Sequence, residues 1–276
     1  MPTITFPLEI NEMILELLAE DDNSHLALKR CSLVCQAFLH ISRKHIFENI
    51  VLSSTSTTYA FECLLRETPE IADYIRKLDY TIRGNPTSIQ ESFKRISRLE
   101  FLSVRYNSWP GLKWSNNLNP ICQSLLRLLH LPTLTHFTMD GNNDFVVSDL
   151  IPCVNLKYLD IGVGTTVSAE TTFHAALPEH SIKLREFVLS GTGLRNSATI
   201  MKLYSARRPD GRPIIDFGSL SKITVTFHDP DEREVLQELF RRCHALTNVH
   251  ISCRCYLHRD YKDFLLLSLH SSLGTT

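Results

Sequence analysis

The chain has 276 residues, 43% hydrophobic and 21% charged, the make-up of a soluble globular protein with room for one large domain or a small module plus a larger one. Its 29 Lys and Arg stand against 30 Asp and Glu, and a formal net charge of -1 argues against a general nucleic-acid partner. No run approaches the roughly 18 apolar residues that cross a bilayer, so no membrane partner is expected. The first residues lack the basic start and apolar core of a secretory signal. Cys31, Cys35, Cys63, Cys122, Cys153, Cys243, Cys253 and Cys255 lie mostly in apolar runs. Reduced, buried thiols are expected, and with them a cytoplasmic or nuclear location.

The first helix is expected from Pro7 onward, because a proline costs no hydrogen bond in a first turn. Ile10, Met13, Ile14, Leu17 and Leu18 fall on one stripe of it, with Leu8 and Leu15 roughly opposite. The run from Glu20 to Ser24 breaks this helix, and Asn23 or Ser24 suits the cap of the next. Leu26, Leu28, Leu33 and Val34 continue the apolar set. After Cys35 a third helix places Ala37, Phe38 and Ile41 on one stripe and Leu39 and Ile46 on another. A piece this short cannot hide so much apolar surface by itself. Some of that surface must meet either the rest of the chain or a partner, which directs the functional reading to binding.

Pro7, Leu8 and Glu9, the apolar helix behind them, the CSLVC run from Cys31 to Cys35, Phe38, and the RKHIF run from Arg43 to Phe47 closely resemble the F-box motif. The resemblance covers about the first 50 residues. Phe6 stands where leucine is usual and Phe47 where tryptophan is often found; both keep bulk and apolarity. The resemblance implies docking on a Skp-type adaptor and, through it, on a cullin–RING ubiquitin ligase. It also implies that Pro7, Ile10, Ile14, Leu17, Leu18, Leu33, Val34 and Phe38 form the adaptor-facing or module-core set. The division of these residues between the two roles stays open.

Ser53 to Thr58 (SSTSTT) reads as a loop or short linker. A helical run through Ala60, Phe61, Leu64 and Leu65 follows, stopped near Pro69. Then a pattern recurs: apolar, two variable residues, apolar, one variable residue, apolar. It occurs at Ile75, Leu78, Tyr80; Leu99, Leu102, Val104; Leu134, Phe137, Met139; Leu156, Leu159, Ile161; Leu184, Phe187, Leu189; Leu220, Ile223, Val225; and Leu246, Val249, Ile251. The first positions are 24, 35, 22, 28, 36 and 26 residues apart, and four of these intervals suit leucine-rich repeats of roughly 20–29 residues. Helical patterns fill the gaps at 88–97, 121–130, 169–177, 198–205 and 232–243. Strands separated by helices favour parallel pairing.

The expected fold is therefore α/β: a short amino-terminal three-helix F-box-like module over 1–52, then an irregular leucine-rich-repeat-like solenoid over 53–276. The second part resembles the receptor portion of many F-box proteins, although the usual asparagine after the third apolar position is missing from most copies. The structural alternative is an ordinary doubly wound α/β domain, whose strands would be longer apolar runs.

Variable residues between the apolar anchors are expected on the open side of such a stack, where an unknown target protein would bind. The candidates are Arg105, His136, Asp140, Tyr158, Asp160, Arg185, Glu186, Lys222 and His250. Two insertions, around 111–119 and 207–216, can add to that surface. The first lies by Trp109 and contains Trp114, read as interface anchors; the second carries Arg207, Arg208 and Arg212, read as an exposed loop.

Cys243, His244, His250, Cys253, Cys255 and His258 crowd together, but their spacing fits no usual pair of zinc-ligand couples, so no metal is expected. No GxSxG, HExxH or GxxxxGK[ST] motif is present, and no cofactor is expected. The leading expectation is a non-enzymatic substrate-recognition adaptor of a ubiquitin ligase. The alternative is a leucine-rich-repeat-like interaction scaffold without ligase association.

Overall fold

The computed structural model describes residues 7–20, 25–83, 88–106, 114, 119–141, 144–169, 178–190, 196–227 and 232–253. In chain order the elements are α1 (Leu8–Ala19), α2 (His25–Cys31), α3 (Gln36–Ile46), β1 (Asn49–Leu52), α4 (Thr55–Glu67), β2 (Lys77–Ile82), α5 (Ile89–Arg95), β3 (Phe101–Tyr106), α6 (Pro120–Leu129), β4 (His136–Asp140), β5 (Phe145–Val146), β6 (Tyr158–Ile161), β7 (Val167–Ser168), β8 (Ile182–Lys183), β9 (Glu186–Leu189), α7 (Asn196–Ser205), β10 (Ile215–Asp216), β11 (Lys222–Phe227), α8 (Glu232–Arg242) and β12 (Asn248–Cys253). Eight strands form one sheet in the order β1-β2-β3-β4-β6-β9-β11-β12, and every pairing in it is parallel. The chain is a mixed α/β protein built on that sheet.

Each strand joins the edge left by the one before it, and the recurring apolar pattern explains how. In the first six copies all three apolar side chains are between 0% and 1% exposed, and those of the seventh are half-buried. Full burial of one such side chain is worth about 1.5–3 kcal/mol, so the pattern supplies a large part of the core. The two variable residues of each copy have a backbone task. Both of their N–H groups donate to one carbonyl of the preceding copy: Arg76 and Lys77 to Glu48, Glu100 and Phe101 to Arg76, Thr135 and His136 to Glu100, Lys157 and Tyr158 to Thr135, and Arg185 and Glu186 to Lys157. Ser221 and Lys222 repeat this on Arg185, and Thr247 and Asn248 on Ser221. This shared acceptor sets the register at the entrance of every strand.

The helices cover one face of the sheet. Phe61 and Leu65 of α4, Phe93 of α5, Leu125 and Leu128 of α6, Leu203 of α7 and Leu239 of α8 share one core with the inward strand residues. Neighbouring helices are stapled end to end. Arg127 donates to the carbonyls of Phe93 (2.9 Å) and Ile96 (3.3 Å), and Arg95 donates to that of Leu65. These carbonyls lie where a helix runs out of its own donors.

The SSTSTT run is not a linker. Ser54 and Thr57 exchange side-chain and backbone hydrogen bonds (3.0 and 3.1 Å), a capping box that starts α4 at Thr55. Hydroxyls that read as loop-formers here satisfy a helix's first amides. Residues 49–52, placed before that run, form β1 and pair with β2. Of the five helical gap fillers expected, four are α5, α6, α7 and α8; residues 170–177 lie outside the described residues, as do Asn23 and Ser24.

The three amino-terminal helices have a core of their own, made of Leu15, Leu28 and Ile41, with Leu18, Ala19, Cys31, Phe38 and Ile46 packed around it. It joins the sheet through Phe47 and Ile50, which pack on the main core, and through an Arg43–Glu70 ion pair at 3.8 Å.

Candidate functional site

Two surfaces bring the singled-out residues together. The first is the outer side of α1 and of the α2–α3 turn. Helical spacing puts Leu15 on the side opposite the main stripe; Leu15 is fully buried, Leu18 packs on the same small core, and Leu8 is exposed. Ile10, Met13, Ile14 and Leu17 face solvent, Leu17 being 62% exposed. Pro7 is exposed too and stands just before α1, its carbonyl accepting from Ile10 and Asn11. Leu33 (85%) and Val34 (70%) protrude from the turn between α2 and α3, and Leu26 is exposed on α2. This divides the set that spacing left undivided. Pro7, Ile10, Ile14, Leu17, Leu33 and Val34 face outward, whereas Leu18 and Phe38 pack on the small core. Met13 and Leu26 belong with the outward group; Met13 already stood on the stripe, but nothing in the spacing told which stripe would be left uncovered.

The second surface is the sheet face away from the helices. Side chains alternate across a strand, so the second variable residue of each copy and the one between the last two apolar positions share this face. Register aligns Lys77, Phe101, His136, Tyr158, Glu186, Lys222 and Asn248 in one row across seven strands. The neighbouring row contains Asp79, Ser103, Thr138, Asp160, Val188, Thr224 and His250. A shorter third row contains Thr81, Arg105 and Asp140.

Three rings line the middle of the first row. Phe101 and His136 have centroids 6.1 Å apart, and His136 stacks on Tyr158 at 5.4 Å. Ion pairs flank them, Lys222 to Glu186 at 2.7 Å and Arg105 to Asp79 at 2.5 Å. Burial raises the Asp160 carboxyl to about 6, nearby Asp140 adds to the rise, and the Tyr158 hydroxyl bonded to it opposes it. Burial likewise raises Asp140, against the pull of Arg105 and of the Gly141 amide. Tyr158 is pushed up to about 12 by burial and by Asp160 and Glu186. Desolvation lowers His136, which outweighs the opposing pull of Glu186.

Two glycines shape the end of this face. Gly141 has φ +72°, and a Cβ there would stand 2.3 Å from the Tyr106 carbonyl oxygen. A Cβ on Gly162 would press on the Asp140 side chain at 3.1 Å.

Of the nine residues expected on the open face, seven (Arg105, His136, Asp140, Tyr158, Asp160, Glu186 and Lys222) lie on neighbouring strands or rows. His250 is on the same face but at β12, three strands beyond Asp160, about 14 Å at the usual strand spacing. Arg185 is exposed as well, next to Glu186 but outside β9. It is the first variable residue of its copy, so it precedes β9 and its carbonyl receives the bonds of Ser221 and Lys222.

Two further expectations are corrected. Trp114 is no interface anchor: it is 1% exposed, stacks edge-on with Phe145 (5.3 Å) and donates its indole N–H to Asp149 Oδ2 at 2.9 Å. Arg208 is not a solvated loop residue: it is 4% exposed, pairs with Asp210 at 3.1 Å and donates to the Pro178 carbonyl. Trp109 lies outside the described residues. Of the crowded Cys and His residues, Cys243 is a core thiol donating to the Leu239 carbonyl, with burial pushing it up to about 12, whereas His244 and His250 are exposed. The side chains of Cys253, Cys255 and His258 lie outside the described residues.

No family model matches the chain, and neither does any curated protein. The residues themselves therefore carry the functional reading. A helical face with several exposed leucines favours burial against another protein, and a sheet face with rings and mixed charge favours recognition.

Proposed function

We propose that the chain is an F-box-type substrate receptor: α1 to α3 dock on a Skp-type adaptor of a cullin–RING ligase, and the strand–helix part, an irregular leucine-rich-repeat-like solenoid, holds a target on its open sheet face. In this reading the chain does no chemistry itself. One observation carries it: Ile10, Met13, Ile14, Leu17, Leu26, Leu33 and Val34 are exposed although each is large and apolar. A compact chain gains nothing from leaving that many such side chains in water on two helices and the turn that follows them. The motif order from Pro7 to Phe47 and the consecutive parallel strands give separate support.

The test is co-purification with a Skp-type adaptor of wild type and of a Leu17→Asp, Val34→Asp double variant. The wild type is expected to capture the adaptor. Losing the burial of two such side chains removes about 3–6 kcal/mol, roughly a hundredfold or more in affinity, so the variant is expected to lose it. Because both side chains are exposed in the free chain, its melting transition should hardly move. A folded double variant that still captures the adaptor overturns the assignment of this face. A wild type that captures none leaves an interaction scaffold outside any ligase.

A further inference from the structure

We propose that the open sheet face receives a basic peptide segment, with the aliphatic stem of an arginine or lysine lying along the ring row of Phe101, His136 and Tyr158 and its charge reaching Asp160. This rests on the reading of that face as the target surface and names the chemistry of the target. The ring row spans three adjacent parallel strands and is at least partly exposed throughout. The core is already filled from the opposite side by Leu102, Val104, Phe137, Met139, Leu159 and Ile161, so packing of the sheet does not require these rings. Stacked side by side, they offer a narrow apolar bed between polar neighbours, of the kind that long cationic side chains cover with their methylenes.

Charge selects the sign of the occupant. Arg105 and Asp79 neutralise one another beside the row, as do Lys222 and Glu186. Among the described residues Asp160 takes part in no ion pair. Its nearest charged influence is a second carboxylate, Asp140, and its hydrogen-bond partner is the Tyr158 hydroxyl. An incoming anion would meet the Asp160 carboxylate with Asp140 beside it; Arg105, on β3, stands next to Asp140, and Lys77 lies on β2, three strands from Asp160. An incoming cation finds Asp160 one row from the rings, within reach of a side chain lying on them. The chain's net charge of -1 supplies no general attraction for basic peptides, so binding would report this local arrangement.

The experiment measures fluorescence anisotropy of the purified full chain with three labelled peptides of equal length. One is built of arginine, lysine, glycine and serine; the others carry glutamate or glutamine in place of the basic residues. Saturable binding of the basic peptide alone is expected. D160N is expected to weaken it about tenfold or more, as loss of a charge partner at an interface does. H136A, which breaks the ring row without touching a carboxylate, is expected to weaken it several-fold. E238Q, which removes an acid from α8 on the helix side, is expected to leave it unchanged. Thermal melts verify that each variant is folded, and D140N stands in should D160N fail to fold. Equal binding of the glutamate peptide, or unchanged affinity in folded D160N and H136A, overturns the proposal. Adaptor capture is assayed on the same samples. A failed peptide result with capture intact removes this inference alone, and peptide binding without capture removes the ligase reading alone.

Discussion

Leu15 and Leu17 are two residues apart on α1 and chemically identical, yet their environments are opposite. Leu15 is fully buried against Leu28 (3%) and Ile41 (9%), and Leu17 is 62% exposed. Truncating a buried leucine loses its transfer free energy and leaves a cavity, which costs about 2–5 kcal/mol. The core of α1 to α3 is small, so L15A should take a large share of whatever stability these helices have on their own. L17A removes a side chain already in water and should change stability by no more than about 0.5 kcal/mol. Hydrogen exchange of the isolated chain, followed by mass spectrometry over residues 8–46, reads both effects. L15A should raise the exchange of α1 to α3 by roughly thirtyfold or more for a loss of 2 kcal/mol, while L17A should leave it within about threefold. Equal acceleration by the two variants would show that Leu17 is packed inside, and the exposed face on which the adaptor reading stands would be lost.

Two further outcomes follow from buried polar groups. Asp160 has its folded-state pKa raised to about 6 from 3.8. Well below pH 3.8 it is protonated both folded and unfolded, whereas above pH 6 the fold must hold it charged in a partly buried site beside Asp140, so its contribution to stability falls as pH rises through that window. Thermal melts should therefore show D160N gaining on wild type between pH 4 and 6.5; a constant difference across that range would show that burial and the neighbouring Asp140 do not raise this carboxyl. W114F keeps the ring packing on Phe145 but deletes the bond to Asp149, a buried acceptor, and should cost about 1–3 kcal/mol in urea unfolding. A loss below 0.5 kcal/mol would show that Asp149 does not depend on the indole N–H.

Much of the scaffold was legible because it is local. The repeated apolar triplets marked seven of the eight strands of the large sheet, since a residue two places along a strand returns to the same face. β1 was missed although Phe47, Ile50 and Leu52 carry the same triplet, because Phe47 was assigned to the amino-terminal motif; pairing with β2 shows the strand. The hydroxyl run at 53–58 misled because serine and threonine serve loops and helix caps alike. Nor does the pattern separate the backbone role of Arg185 from that of Glu186. The pattern treats the two residues after the first apolar position as equivalent, but the first is spent on the shared carbonyl at the strand entrance. Trp114 and Arg208 were misread for one reason: type and neighbours in sequence signal exposure, while Asp149 and Asp210 supply the polar partners that permit burial.

From composition and order alone came a chain built of alternating helices and short strands, with excess apolar surface at its start and no catalytic motif. Periodicity is a property of neighbouring residues, and so it survives without coordinates. The tertiary structure decided which stripe of α1 is inside, which side chains share a row across seven strands, and that three rings and an unmatched carboxylate meet on one face. Those facts depend on residues far apart in the chain arriving at the same place, and register between strands is fixed only when the whole sheet has closed on its core.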